Sequence, residues 1–156
     1  MNIQERIEAF ETEFAEKIKA LKAEAQQEKE FPQLGDTYWY INSEGMVFDS
    51  EFENMQSDRD SLTIGNVFRT KNEAEFAIEK LKVETELRKF STNFVLYKEN
   101  WFLSLADTRK DVRPLYEHRN DTQGVIYFES REKAEEAMDT VSEERIKKYI
   151  FGVEAE

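Results

Sequence analysis

Two stretches of this chain echo each other: Phe68-Arg-Thr-Lys-Asn-Glu-Ala-Glu-Phe-Ala-Ile78 and, 60 positions on, Phe128-Glu-Ser-Arg-Glu-Lys-Ala-Glu-Glu-Ala-Met138. Both read Phe, any residue, Thr or Ser, Lys or Arg, two variable positions, Ala-Glu, one variable position, Ala, Ile or Met. Each shared position has a mechanical use. The aromatic ends a strand in the core. The hydroxyl of Thr70 or Ser130 accepts from the free N–H groups at a helix start. Glu73, three positions after Thr70, completes a capping box. The paired alanines, Ala74 with Ala77 and Ala134 with Ala137, let a helix sit close to a sheet. A strand that feeds a capped helix therefore occurs twice.

Upstream of the first junction, Thr37-Tyr-Trp-Tyr-Ile41 is dense in β-formers, Asn42-Ser-Glu-Gly45 is a turn, and Met46-Val-Phe48 begins a return strand. Residues 49–63 are polar and acidic without a clear period, and Gly65–Phe68 reads as a third strand. The second half follows the same grammar: strand Asn93–Tyr97, turn Lys98–Asn100, return strand Trp101–Leu105, a polar stretch 106–123, and a third strand Gly124–Phe128. Ser142 reads as the N-cap of a last short helix that closes at Phe151-Gly152. The expected fold class is α+β: a long N-terminal helix followed by two duplicated β-β-β-α units with antiparallel sheet. The units fall at 1–30, 36–90 and 93–153, within one compact domain. The Phe68 and Phe128 strands are expected at the sheet centres with helices on one face. The aromatic strands at 37–41, 94–97 and 125–128 are expected to supply most of the core.

The N-terminal 30 residues carry Ile3, Ile7, Phe10, Phe14, Ile18, Leu21 and Ala25 at spacings of 4, 3, 4, 4, 3 and 4. That is a helical stripe, closer to an eleven-residue period than to heptads. Pro32 and Gly35 end it. The stripe is read as a core face packed on its own domain. If it faces outward instead, a homodimer through this helix is the simplest consequence.

Composition narrows the function. The chain has 156 residues, a net charge of −12 and no cysteine. At this length it can bury about two-thirds of its unfolded surface without a staple. Zero cysteine removes thiol catalysis, zinc ribbons and iron–sulfur clusters. A charged fraction of 36% would favour disorder, but 13% aromatic residues argue for a small aromatic-rich core in a charged shell. So acidic a chain has no general affinity for nucleic acid or anionic lipid. No 18-residue apolar run exists and the N-terminus shows no signal-peptide pattern, so the expected location is the cytoplasm of whatever cell makes or receives the protein.

Catalytic patterns are scarce. His118 stands alone in Tyr116-Glu-His-Arg119 with no nucleophile elbow, and reads as an exposed loop or strand residue. None of the five glycines builds a phosphate-cradling loop. An EF-hand read from Asp49 puts Asn54 where Gly is needed and Asp60 where Glu is needed. No catalytic residue, metal site or cofactor is expected, and the chain is read as non-enzymatic.

One compositional feature survives. Residues 44–60 hold six acids (Glu44, Asp49, Glu51, Glu53, Asp58 and Asp60) against Arg59, a local charge of −5, interleaved with Phe48, Phe52 and Met55. It reads either as a solvated acidic loop whose aromatics enter the core, or as an acidic surface with apolar anchors for a basic protein groove. On the second reading the partner-binding residues are Asp49, Glu51, Phe52, Glu53, Asp58 and Asp60.

Tyr38-Trp-Tyr-Ile41, Gly65-Asn-Val-Phe-Arg-Thr-Lys-Asn-Glu-Ala-Glu75 and Glu79-Lys-Leu-Lys82 resemble segments of small acidic proteins of phages and mobile elements of Gram-positive bacteria. So do Tyr127-Phe-Glu-Ser130, Lys133-Ala-Glu-Glu-Ala137 and Glu143–Gly152. The resemblance spans 36–153 and leaves the N-terminal helix outside. At class level it extends to anti-CRISPR proteins, inhibitors of Cas nucleases. It implies an inhibitor whose partner is a host protein with a basic nucleic-acid-binding groove, such as a Cas9-type nuclease. The alternative is a structural or adaptor protein of a phage or replication complex, oligomerising through its N-terminal helix.

Overall fold

A computed structural model describes residues 3–27, 30–106 and 111–153. The first half contains helix α1 (Ile3–Gln27), strands β1 (Thr37–Ile41) and β2 (Val47–Glu51), and helices α2 (Gln56–Thr63) and α3 (Lys71–Arg88). The second contains strands β3 (Ser91–Thr92), β4 (Asn100–Leu105), β5 (Val112–Glu117) and β6 (Tyr127–Phe128), then helices α4 (Arg131–Val141) and α5 (Glu143–Tyr149). The class is α+β, with two small antiparallel sheets: β1-β2, and β3-β6-β4-β5.

Both capped junctions form where the sequence places them. Thr70 Oγ1 accepts from Glu73 N at 3.2 Å, and Glu73 Oε2 accepts from Thr70 N at 3.2 Å. Ser130 Oγ accepts from Lys133 N at 3.2 Å. Ala74, Ala134 and Ala137 are fully buried. At each junction the aromatic pairs antiparallel with a tryptophan of the preceding hairpin: Phe68 with Trp39 and Phe128 with Trp101. Phe128 sits in β6, an interior strand of the four-stranded sheet. Phe68 makes only a single bridge, so the expected strand 65–68 is reduced to one residue pair.

Helix α3 joins the halves. It packs on β1 and β2 and also on α4 and α5. Arg145 of α5 grips it with a forked pair, Nη1 to Glu86 Oε2 at 2.9 Å and Nη2 to Glu86 Oε1 at 3.0 Å. Glu143 Oε1 accepts from Val112 N at 2.8 Å and ties α5 to β5. The main buried cluster comprises Val83, Leu87, Val112, Phe128, Ala134, Ala137, Val141 and Ile146. The core is thus largely helical, not chiefly drawn from the aromatic strands. Tyr38, Tyr127 and Phe128 are buried, but Val95, Leu96 and Tyr97 are exposed.

Residues 93–97 are not a strand, and the expected hairpin is shifted by one element: 100–105 pairs with 112–117. The reason is Asn100, which is buried. Its Nδ2 donates to the carbonyls of Val95, Lys98 and Glu117, and its Oδ1 accepts from Val95 N. Those bonds hold 95–98 as a turn, with Tyr97 at a positive φ of 65°. Strand β5 contains Pro114, which a strand tolerates only at a sheet edge, and β5 is an edge. Ser142 links α4 to α5 at φ 82° and makes no side-chain cap.

The α1 stripe is also corrected. Ile3, Phe10 and Leu21 are 77%, 68% and 63% exposed, and Ile7, Phe14 and Ile18 are exposed with them. No apolar side chain of the stripe described here enters the core. Truncation of Phe128 to Ala is expected to cost about 3–5 kcal/mol by urea denaturation, whereas Phe10→Ala should leave the unfolding transition of the body nearly unchanged.

Candidate protein-binding face

Period-two alternation places Tyr38, Tyr40, Phe48 and Ser50 on one face of the β1–β2 hairpin, and Trp39, Val47, Asp49 and Glu51 on the other. The turn is shaped by Asn42, whose Oδ1 accepts from Glu44 N and Met46 N at 3.0 and 2.8 Å. Strand β1 continues through its bridge to Phe68, so β2 is the outer strand. Beyond β2 the acidic stretch forms a helix, α2, which the sequence reading missed.

The six candidate residues separate. Phe52 is 7% exposed and packs edge-on against Tyr38, ring centroids 6.2 Å apart. Asp58 is 4% exposed. Its Oδ1 accepts from Tyr38 OH at 3.0 Å, and its Oδ2 accepts from Met55 N at 2.9 Å and Glu53 N at 3.0 Å. Phe52 and Asp58 therefore fasten α2 to the hairpin and are unavailable to a partner. Asp49, Glu51, Glu53 and Asp60 are exposed. Asp49 and Glu51 share a hairpin face, while Asp60 lies on the helix that adjoins the Tyr38 side and accepts from Gln56 Nε2 at 2.7 Å. Arg59 is turned back onto its own loop, donating to the Asn54 carbonyl and to Gln56 Oε1.

Electrostatics separates the structural acid from the displayed ones. Burial works against ionisation of Asp58, but the bonds from Met55 N, Tyr38 OH and Glu53 N outweigh it and hold the carboxyl below its ordinary range. Tyr38 is pushed up, first by burial and then by its bond to the Asp58 carboxylate. Glu117 is similarly lowered, because Arg119 N and His118 N donate to it. His118 itself is exposed, its ring edge-on to Tyr116.

A groove of about 810 Å³ lies between the hairpin turn and α3 and α5, lined in part by Met46, Val47, Phe76, Lys148 and Tyr149. An apolar cavity of about 150 Å³ touches Leu87, Leu103, Phe128 and Ile146. Neither gathers a nucleophile with a base. Among the described residues, no three His, Asp or Glu side chains converge as a metal site, and no helix is long and apolar enough to cross a membrane. No protein-family model matches the chain, and comparison with curated proteins and with solved structures gives no match.

The depressed carboxyl of Asp58 fixes a pH dependence. Its stabilising contribution is complete above the unfolded value of about 3.9 and is lost as pH falls through the lower folded value. Asp58→Asn should lower the thermal midpoint at neutral pH. The gap between variant and wild type should narrow in acid, as followed by circular dichroism melts.

Proposed function

We propose that this chain is a non-enzymatic inhibitor that docks on a basic, nucleic-acid-handling protein through the exposed acids of the β2–α2 segment. The observation that carries the reading is a contrast in charge pairing. On the helices, several acids have nearby cations: Glu75 with Lys71 at 3.4 Å, Glu79 with Lys82 at 2.6 Å, Glu135 with Arg131 at 2.8 Å, Glu136 with Lys133 at 2.6 Å. Among the described residues, no lysine or arginine forms an ion pair with Asp49, Glu51 or Glu53. An uncompensated acidic edge raises the association rate with a basic groove and makes binding salt-sensitive.

The resemblance to small acidic phage and mobile-element proteins, and through them to anti-CRISPR proteins, supports a Cas9-type nuclease as the partner and the bacterial cytoplasm as the place of action. The offset-60 repeat, with the Trp39–Phe68 and Trp101–Phe128 pairings, supports reading the two halves as copies of one ββ(β)α unit. The first copy then has α2 inserted, and that insertion carries part of the acidic face.

Binding to a Cas9-type nuclease, measured by biolayer interferometry across a salt series, tests the proposal. Wild type is expected to bind with steep salt dependence. The quadruple reversal Asp49→Lys, Glu51→Lys, Glu53→Lys, Asp60→Lys is expected to weaken binding at least about tenfold, or about 1.4 kcal/mol. An unchanged melting curve would show that the variant is folded. Equal binding by the two proteins would overturn the docking face, and absence of binding by wild type would overturn this partner.

A further inference from the structure

Among the described residues, helix α1 presents an exposed apolar stripe and makes no substantial packing contact with any other element. Phe10 and Phe14 stack on each other in that stripe, ring centroids 6.3 Å apart and planes 16° off parallel. A continuous row of exposed isoleucine, phenylalanine and leucine side chains along a helix of 25 residues, about 37 Å by helical rise, needs a cover. Its spacing says which cover fits. The steps 4, 3, 4, 4, 3, 4 read the same from either end, with Phe14 at the midpoint. Turning the helix end for end about Phe14 exchanges Ile3 with Ala25, Ile7 with Leu21 and Phe10 with Ile18. The row is therefore its own complement in the antiparallel sense.

We propose that α1 is the interface of a twofold-symmetric homodimer in which two copies of the helix lie antiparallel and face to face, with both Phe14 side chains on the axis. The charges flanking the row select this orientation independently. Positions 5–13 carry Glu5, Glu8, Glu11 and Glu13 against Arg6, whereas positions 16–24 carry Lys17, Lys19 and Lys22 against Glu16 and Glu24. The helix is acidic toward its start and mildly basic toward its end. At 100° per residue, Glu8, Glu11 and Lys22 flank one side of the row, and Glu13 and Lys17 flank the other. The twofold places Glu8 within two residues' rise, about 3 Å, of the level of Lys22 in the second copy, and Glu13 equally near Lys17. A parallel pair would bring the two acidic halves together, with Glu11 across the seam from Glu13 of the second copy. The row returns to phase after eleven residues, at positions 3, 14 and 25, so the two helices can stay nearly straight along their contact.

Sedimentation equilibrium of the full chain reads the mass. The expected value is twice the 18.5 kDa of one chain, falling to one chain for the double variant Phe10→Glu, Phe14→Glu. Both side chains are exposed, so that variant should keep the wild-type melting transition of the body. The absence of cysteine allows the geometry to be read by oxidation. Phe14→Cys is expected to cross-link to itself. Ile7→Cys is not, but should cross-link when mixed with Leu21→Cys. A wild-type monomer across the micromolar range, or self-linking of Ile7→Cys as efficient as that of Phe14→Cys, would overturn the proposal.

Discussion

The complete burial of the Ala134 and Ala137 methyl groups sets how closely α4 can approach the sheet, and much else depends on that distance. A larger side chain at either place would lift the helix from Phe128, the largest fully buried side chain of the molecule's described residues. The helix can only lie there if its first turn is satisfied locally, which Ser130 does. Ala74 plays the same part for α3 in the other half. Because α3 packs on elements of both halves, each half uses it as a wall, and the Arg145–Glu86 fork fixes α5 against that wall. Unfolding of α3 would expose both halves together.

What could be read in advance follows from this arrangement. Caps, small helix-facing residues and strand-ending aromatics are local chemistry, so the two junctions at 68–78 and 128–138 were legible to the residue. Pairing partners were not. Phe94, Val95, Leu96 and Tyr97 have strand-like propensity, yet the decision belongs to the Asn100 side chain, whose bonds reach to Glu117. Val112–Glu117 contains a proline and three charged or aromatic polar positions, so it read as loop until its partner β4 was known. Helix α2 was invisible for a related reason: its buried residue is Asp58, not an apolar one. The α1 period was plain in the sequence, but a period alone does not say whether a stripe meets its own body or another molecule.

The candidate face was half legible for the same reason. Counting acids found the 44–60 excess, but a count cannot tell an acid that anchors a loop from one that meets solvent. Asp58 and Glu53 are five positions apart and do opposite jobs. One accepts three hydrogen bonds inside the hairpin–helix junction, and the other points its charge outward while its own N–H supports the first. The acidic display thus rests on an internal acid, and the display and the anchor would be damaged by different substitutions.

Pro114 has a consequence beyond its own strand. An edge residue without an N–H cannot donate to an incoming strand, so β5 offers a broken ladder to any chain seeking to extend the sheet. The opposite edge, β3, is only two residues long, and β2, the outer strand of the other sheet, displays Asp49 and Glu51. These three margins resist strand addition, which helps keep a chain with so many aromatic residues from stacking into aggregates through its own main chain.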